Sequence, residues 1–271
     1  MTEPRSYSVA VVIPTNRIHG WLPQAAESVL AQTDVDVELI LLLDGVRLEP
    51  MPEWARDPRV TLIHNAQSQG VGSALRRAMS AVSSEFVARL DSDDIALPGR
   101  LKAQADYLSS HPETVAVTGS VEWIDEHGDV IGRVGHKSGD DVRLELLVQN
   151  VLVQSAIMFR KSAYDSAGGY SEMRQMEDYS LWLRMACIGP VAIIDTLVTQ
   201  YRIHPNQMSR GVRPWSAYVR AVIKERDALA RHLGVPRSKQ RIKNVMWVFA
   251  LVLMYILPEP VLRPLRSALS R

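Results

Sequence analysis

The chain has 271 residues, of which 46% are hydrophobic and 23% are charged, and its formal net charge is +1. This length allows one large domain or a domain with an appendage. The near-neutral charge argues against a nucleic-acid partner, because nucleic acid is bound largely through clustered Lys and Arg. Cys187 is the single cysteine, so an intrachain disulfide is excluded. The first residues lead into a strand pattern rather than a signal peptide, which predicts a cytoplasmic protein.

The first two-thirds of the chain alternate between strand-like and helix-like patterns. Short, nearly continuous apolar runs predict strands covered on both faces, and amphipathic segments between them predict helices. The predicted strands are residues 9–14, 37–43, 60–64, 86–90 and 115–121, and the predicted helices are residues 22–32, 70–82 and 98–110. This alternation is typical of an α/β protein with a mostly parallel sheet flanked by helices.

Polar residues follow the first four predicted strands. The first strand ends in PTNR, the second in DG, the third in HNAQSQG and the fourth in DSDD. Ligands of open α/β sheets bind at the carboxyl ends of the strands, so we expect these clusters along one ligand-binding edge.

The DSDD cluster places Asp91, Asp93 and Asp94 at the end of a buried strand. Carboxylates this close repel one another and resist losing their water, so a cation is expected beside them. Oxygen ligands suit Mg²⁺ or Mn²⁺ bound together with substrate phosphates. The alternative is a solvated turn in which an aspartate caps the following helix.

Two later segments carry further candidates. Glu177 and Asp178 open an amphipathic helix, where Asp178 can act as a general base or cap the helix. His204 precedes Pro205 on a predicted loop and can complete a metal shell or have a structural role.

The segment SQGVGSALRRAM places Gly70 and Gly72 ahead of a helix. It lacks the third glycine of a dinucleotide-binding loop and follows the third strand, which excludes that interpretation. Gly70 is expected to permit a turn, and Arg76 or Arg77 is expected to face either a nucleotide or solvent.

The tail from Arg213 is predicted to be helical, and residues 244–258 within it are apolar on every side. That run of about fourteen residues is shorter than the roughly 20 of a membrane-spanning helix. Packing on the protein body or on a second subunit is one arrangement. Lying in a membrane interface, with basic flanks on lipid phosphates, is another, and a true span is the third.

The order of the motifs resembles family 2 of the glycosyltransferases, which has the Rossmann-like GT-A fold, over roughly residues 8–212. The segments that carry the resemblance are VVIPTNR, AAESVLAQT, ELILLLDG, NAQSQGVGSAL, ARLDSDDIALPGRL, SAIMFRKSAYDSAGGY, MEDYSLWLR and YRIHPNQMS. Each is weak alone, but all eight occur in order. The resemblance implies a GT-A glycosyltransferase domain at residues 1–212 and a C-terminal helical extension at residues 213–271, associated with a membrane or a dimer partner.

The resemblance also implies the residues that bind a nucleotide-sugar. Pro14 and Thr15 match the first-strand motif whose backbone lines the nucleotide site, and Asp44 matches the carboxylate that typically binds the base. Asp91 and Asp93 match the D-x-D motif, in which Asp93 is the more direct metal ligand and Asp91 lies nearer the ribose.

By the same resemblance, Asp178 matches the catalytic base of the E-D motif. His204 matches a histidine that in many members reaches the metal or the diphosphate, so the implied metal ligands are Asp93, Asp91 and His204. Arg76 is expected to bind the nucleotide-sugar.

The implied reaction moves a sugar from a nucleotide-sugar to a hydroxyl of a glycan or lipid-linked glycan. Mn²⁺ or Mg²⁺ neutralises charge growing on the leaving diphosphate, while a carboxylate removes the proton of the acceptor hydroxyl. One displacement with one base inverts the anomeric carbon. Residues 125–153 and the tail are expected to shape the acceptor side, and residues 237–266 to contact the inner face of a membrane.

Departures from the family pattern concern the base pocket. Residues 43–45 read LDG, with one aspartate where many relatives have two, and Val46 replaces the usual serine. Asn16 and Arg17 stand where many relatives have Tyr-Asn. A UDP-sugar is therefore the first expectation for the donor, and a TDP- or GDP-sugar stays open. The Q-x-x-R-W motif of processive polymerases is absent, which favours transfer of one sugar or a few.

Two other function classes are alternatives for this sequence. A nucleotidyltransferase would need a Gly-rich basic loop near the N-terminus, and PTNRIHGW has neither the glycines nor the lysine. The other class is a non-catalytic, nucleotide-sugar-binding member of the fold. The presence of Asp91, Asp93, Asp178 and His204 together favours an enzyme.

Overall fold

The computed structural model describes residues 7–134, 138–205, 207 and 212–256. In this part of the chain nine strands form one sheet, and helices flank it. The strands are β1 Ser8–Thr15, β2 Asp36–Asp44, β3 Val60–Asn65, β4 Phe86–Arg89, β5 Ile95–Ala96, β6 Ala116–Ile124, β7 Val130–Val134, β8 Met158–Arg160 and β9 Val191–Arg202. The α-helices are α1 Leu22–Leu30, α2 Val71–Met79, α3 Arg100–Ser110, α4 Arg143–Leu146, α5 Lys161–Ser166, α6 Glu177–Ala186, α7 Ala217–His232 and α8 Arg237–Ile256, with 3₁₀ turns at Glu53–Arg56 and Gln154–Ala156.

The strand order is β3-β2-β1-β4-β8-β6-β9-β5, and β7 pairs with β6. β3, β2, β1 and β4 are parallel to one another. β8 runs antiparallel to both β4 and β6, so β6 and its parallel partner β9 point the same way as the first four strands. The five strands predicted from the sequence are confirmed with a common direction, and β8 is an inserted antiparallel strand that the pattern did not indicate.

Helices cover both faces of the sheet, which explains why its strands are apolar on both faces. Ala10 and Val12 of β1 pack into a core that includes residues of α2, α6 and α7. Val9, Val11 and Ile13 of the same strand point the other way, into a core with α1 and α3. This alternation with a period of two places one strand in both cores.

The C-terminal helices pack on the first of these cores. Val222 of α7 and Trp247 and Leu251 of α8 are buried in the same cluster as α6. The opposite face of α8 is exposed and apolar, including Val245 and Phe249. The apolar run therefore packs on the protein body along one face.

None of the helices in the described ranges is long and apolar enough to cross a membrane. The end of the predicted membrane-contact segment, residues 257–266, lies outside the described residues.

Candidate active site

The polar clusters that follow the first four strands meet at one edge of the sheet, as the sequence predicts. The strand register pairs Thr15 with Leu43, and Asp44 with Asn65. Pro14 and Thr15 end β1, and the Thr15 hydroxyl donates a 2.6 Å hydrogen bond to the Arg17 carbonyl. That bond shapes the turn leaving β1.

Asp44, at the end of β2, organises the loop that follows β3. Its carboxylate accepts hydrogen bonds from Asn65 Nδ2 at 2.7 Å, Ser68 Oγ at 2.7 Å and the Gln69 amide at 3.1 Å. Burial alone would raise the pKa of Asp44, but these donors outweigh it and leave that pKa below the ordinary value. The carboxylate expected to bind the nucleotide base is thus also hydrogen-bonded to the loop after β3.

Gly45 permits this close approach of the loop. Its φ is 79°, and a Cβ there would lie 2.6 Å from the Ser68 backbone nitrogen. A larger residue would therefore be strained by both its backbone conformation and its neighbour.

Asp91 is held by a buried arginine of the preceding strand. Arg89 is 1% exposed, and its Nη2 donates to Asp91 Oδ1 at 2.6 Å. The Asp91 backbone amide donates to Ser155 Oγ at 2.8 Å. Burial raises the pKa of Asp91, and the positive charge of Arg89 opposes that rise. The arginine of β4 therefore both positions the carboxylate and partly compensates its charge.

Asp93 and His204, predicted as metal ligands, are in contact. His204 Nε2 lies 2.7 Å from Asp93 Oδ2, and the histidine side chain is almost fully buried. The Trp21 ring packs against the His204 ring, with centroids 4.9 Å apart and ring planes tilted by 43°. His19 Nε2 contacts Ser92 Oγ at 3.0 Å. The turn after β1 therefore covers the D-x-D motif.

Asp94 is buried instead of capping a helix. Its Oδ1 accepts from the Arg202 amide at 2.7 Å, and α3 begins after Gly99 with no side-chain cap. Burial, then Asp93 and Asp91, raise the pKa of Asp94 well above the ordinary value. The helix-cap part of the alternative for this cluster is therefore wrong, while Ser92 and Asp93 do lie in a half-buried turn.

The start of α6 faces the end of β4. Asn150 Nδ2 donates to Asp178 Oδ2 at 3.1 Å. Burial raises the pKa of Asp178, and the charge of Asp91 adds to the rise. Burial and Asp178 raise the pKa of Glu177 to about 8, and Asp91 contributes there also. The predicted base and the D-x-D motif thus share one electrostatic environment.

A strained residue leads into α6. Met176 has a φ of 62°, in the left-handed region. Such a conformation costs a non-glycine residue on the order of 1–3 kcal/mol and persists where surrounding contacts enforce it. Here it turns the chain directly before Glu177 and Asp178.

Arg76 is not brought together with the other predicted site residues. Its guanidinium lies 3.7 Å from Glu172, and both side chains are largely exposed. What α2 provides is close packing, because a Cβ at Gly72 would lie 2.1 Å from the Ser171 carbonyl oxygen. That contact holds the loop leading to α6.

Several residues of this site were missed by sequence reasoning: Trp21, Arg89, Asn150, Ser155 and Arg202. Arg89 did leave a signal, since it is a charged residue inside an otherwise apolar strand. Arg202 donates from Nε to the Asp93 carbonyl at 2.9 Å and lies over the Trp21 ring. Asn150 and Ser155 come from irregular segments whose position depends on tertiary packing.

The donor set at Asp91, Asp93 and His204 combines carboxylate oxygens with an imidazole nitrogen. These ligand types suit Mn²⁺ or Mg²⁺, which also take oxygens from substrate phosphates. Within the described ranges, no group of three or more His, Cys, Asp or Glu side chains is arranged as a metal-binding cluster. The three predicted ligands are therefore not assembled as such a cluster among the described residues.

Solved structures define the class of fold. Staphylococcus aureus TarS 1–349 in complex with UDP-GlcNAc matches with a TM-score of 0.69 at 13% identity, over 89% of this chain and 71% of that chain. The same TarS fragment with UDP gives a TM-score of 0.68. The fold is that of the GT-A glycosyltransferases.

Sequence relatives narrow this class to a family. The family described as Glycosyl transferase family 2 matches residues 10–168. Amylovoran biosynthesis glycosyltransferase AmsE of Erwinia amylovora is 31% identical over 207 residues, covering 74% of this chain and 77% of that protein. O-antigen biosynthesis glycosyltransferase WbnJ of Escherichia coli is 28% identical, covering 72% and 80%. The chain belongs to glycosyltransferase family 2, as its motifs predict.

Asp44→Asn is expected to lower the free energy of unfolding at neutral pH by roughly 1–3 kcal/mol, because the donors around it lose a charged acceptor. The pKa of Asp44 is lowered in the folded state, so its stabilisation is present above the unfolded pKa and is lost as the pH falls through the folded value. Urea unfolding should therefore show a deficit that is largest near neutrality and shrinks in acid.

Asp36→Asn is the matched control, since Asp36 is exposed at the start of the same strand. It should change stability little at any pH. A deficit for Asp44→Asn that stays constant from neutral to acidic pH would contradict the assignment.

Proposed function

We propose that the protein transfers a sugar from a nucleotide-sugar to a hydroxyl of a glycan or lipid-linked glycan in polysaccharide biosynthesis, inverting the anomeric carbon. The observation that carries this proposal is that the E-D carboxylates at the start of α6 lie near enough to the D-x-D segment after β4 for the charge of Asp91 to raise the pKa of both Glu177 and Asp178. The names of AmsE and WbnJ, for amylovoran and O-antigen biosynthesis, support the product class.

Asp93, Asp91 and His204 are proposed to hold Mn²⁺ or Mg²⁺ with the donor. When bound, the metal supplies positive charge that offsets the charge developing on the leaving diphosphate. Arg202 holds the Asp93 backbone, and Arg89 holds the Asp91 carboxylate. These contacts fix the Asp93 backbone and orient the Asp91 carboxylate, and the charge of Arg89 opposes the rise that burial causes in the pKa of Asp91.

Asp178 is proposed as the general base for the acceptor hydroxyl. A carboxylate with a raised pKa is a stronger base than one in water, and Asn150 fixes its orientation through Oδ2. Because a single displacement needs one base and no enzyme nucleophile, this arrangement supports inversion.

The donor is proposed to lie along the backbone of Pro14 and Thr15, with Asp44 near the base. A UDP-sugar is the first candidate, and TarS, which has the same fold, is named in complex with UDP-GlcNAc and with UDP. A TDP- or GDP-sugar is the alternative that experiment must separate.

A thermal-shift panel of UDP, TDP, GDP, ADP and CMP, each with and without Mn²⁺, tests the donor class. One nucleoside diphosphate should raise Tm strongly and only with Mn²⁺, since ligand at 100 times Kd adds about 2.7 kcal/mol of stability. Asp93→Asn should lose the metal-dependent part of the shift. If no diphosphate stabilises the protein, the proposed donor class is wrong.

Asp178→Asn is expected to lower kcat by about 10²–10⁴-fold, the usual contribution of a general base. Donor Kd should stay within a few-fold, because the carboxylate acts on the acceptor. Release of nucleoside diphosphate and donor titration measure the two quantities, and Asp195→Asn, at an exposed site on β9, is the control. Weaker donor binding with unchanged turnover would remove Asp178 from the base role.

The exposed face of α8 is proposed to lie on the inner face of the membrane, where a lipid-linked acceptor would be presented. Ile242, Val245, Met246 and Phe249 form an exposed apolar stripe at helical spacing. Exposed Arg237, Lys239 and Arg241 precede it. Basic residues beside an apolar helix face are typical of peripheral attachment to anionic lipid.

Vesicle co-sedimentation tests this attachment. The protein should bind anionic vesicles more strongly than neutral ones, and Val245→Gln with Phe249→Gln should weaken binding several-fold, since buried apolar area is lost. Ile188→Gln, at an exposed apolar site outside α8, is the control. Failure to bind anionic vesicles would exclude the membrane, and a dimer dissociated by the α8 substitutions would identify a second subunit as the partner.

A further inference from the structure

Arg226 of α7 is fully buried and bonds to three separate parts of the chain. Its Nη1 donates to the Tyr179 hydroxyl at 2.8 Å, and its Nη2 donates to the Leu147 carbonyl at 2.7 Å. Its Nε donates to Asn244 Oδ1 at 2.8 Å. The guanidinium also lies over the Trp247 ring, 4.6 Å from its centroid.

These are neutral acceptors, so Arg226 carries a buried charge with little direct compensation. Asn244 links the guanidinium indirectly to a carboxylate, since its Nδ2 donates to Asp227 Oδ1 at 2.8 Å. A buried charge of this kind is costly, and hydrophobic replacements of buried ion pairs are often neutral or stabilising. Stability alone is therefore a weak explanation for this arrangement.

The contacts of Arg226 lead to Asp178 by two routes. Tyr179 directly follows Asp178 in α6, and its hydroxyl is bonded to Arg226 and to the Leu146 carbonyl. Leu147 belongs to the segment that continues to Asn150, which donates to Asp178 Oδ2 at 3.1 Å. Arg226 thus joins the helix that carries the carboxylate to the segment that carries its hydrogen-bond donor.

We propose that Arg226 is a positioning residue for Asp178: it holds residues 147–150 against α6 so that Asn150 fixes the orientation of the carboxylate. This inference rests on the proposed role of Asp178 as general base. Arg226 lies beyond residues 10–168, which the family match covers. The C-terminal helices thereby take part in organising the acceptor side of the site.

Lysine at this position keeps the charge but loses the geometry. The planar guanidinium reaches Tyr179, Leu147 and Asn244 at the same time, whereas an ammonium on a flexible stem donates from one point. Arg226→Lys therefore separates positioning from the presence of a positive charge.

The test is a set of single and combined variants of Arg226→Lys, Asn150→Ala and Asp178→Asn. kcat and donor KM are measured by release of nucleoside diphosphate from a nucleotide-sugar of the diphosphate that stabilises the wild type, with the metal that supports that stabilisation. Arg226→Lys and Asn150→Ala should each lower kcat about 10- to 100-fold with donor KM nearly unchanged, as expected for a misplaced catalytic group. Arg231→Lys, at an exposed site on the same helix, should match the wild type.

The combinations separate positioning from general destabilisation. Residues that act through one carboxylate are not additive, so the Arg226→Lys, Asn150→Ala double variant should be no slower than the slower single variant. On the Asp178→Asn background, Arg226→Lys should cause no further loss. An equal fold loss with and without Asp178, or wild-type kcat for folded Arg226→Lys, would overturn the inference.

Two outcomes keep this inference distinct from the proposed function. If Asp178→Asn retains full turnover, the role of Asp178 fails and the positioning role fails with it. If Asp178→Asn is inactive while Arg226→Lys is fully active, only the inference fails. Should Arg226→Lys not fold, Tyr179→Phe removes the bond between α6 and Arg226 with little change in volume, and wild-type kcat for that variant would overturn the inference.

Discussion

Buried arginines facing the crowded carboxylates at the end of β4 are the constraint on which the site depends. Arg89 Nη2 contacts the Asp91 carboxylate, whereas Arg202 donates from its main-chain amide to the Asp94 carboxylate and from Nε to the Asp93 carbonyl. Arg100 donates to the Arg89 carbonyl, and burial lowers the pKa of Arg100 to about 9. Burial raises the pKa of Asp91 and of Asp94, and the charge of Arg89 opposes that rise at Asp91.

The strand order brings residues from distant parts of the chain to these carboxylates. β9 brings Arg202 and His204 to the D-x-D motif from about a hundred residues away, and it can do so because β8 and β6 extend the sheet beyond β4. The 3₁₀ turn before β8 supplies Ser155 to the Asp91 amide. The inserted antiparallel strand β8 therefore helps to bring distant residues to the edge where the candidate site lies.

The C-terminal helices connect the same edge to the rest of the molecule. One face of α8 is buried with α7 and α6, while the other face is exposed and apolar. Arg226 lies where these helices meet the segment before Asn150. If both proposals hold, one pair of helices contacts the membrane and fixes the base, which would place acceptor delivery next to the catalytic carboxylate.

Much of this protein was determined by its sequence. Apolar runs and amphipathic segments indicated five strands and three helices, and the polar clusters after the strands indicated the edge where Asp44, Asp91 and Asp93 lie. Those features are local, because strand burial and the chemistry of a strand end depend on neighbours in the chain. The order of motifs also identified the family.

Tertiary structure alone decided which residues support the site. Ser155 and Arg202 contact the D-x-D motif from two distant segments, and Arg226 reaches the surroundings of Asp178 from a third. Arg76 was a candidate because of its position on a predicted helix, but it contacts Glu172 instead. A buried polar contact requires both partners to arrive at one point, and the packing of distant segments sets that point, so no local pattern encodes it.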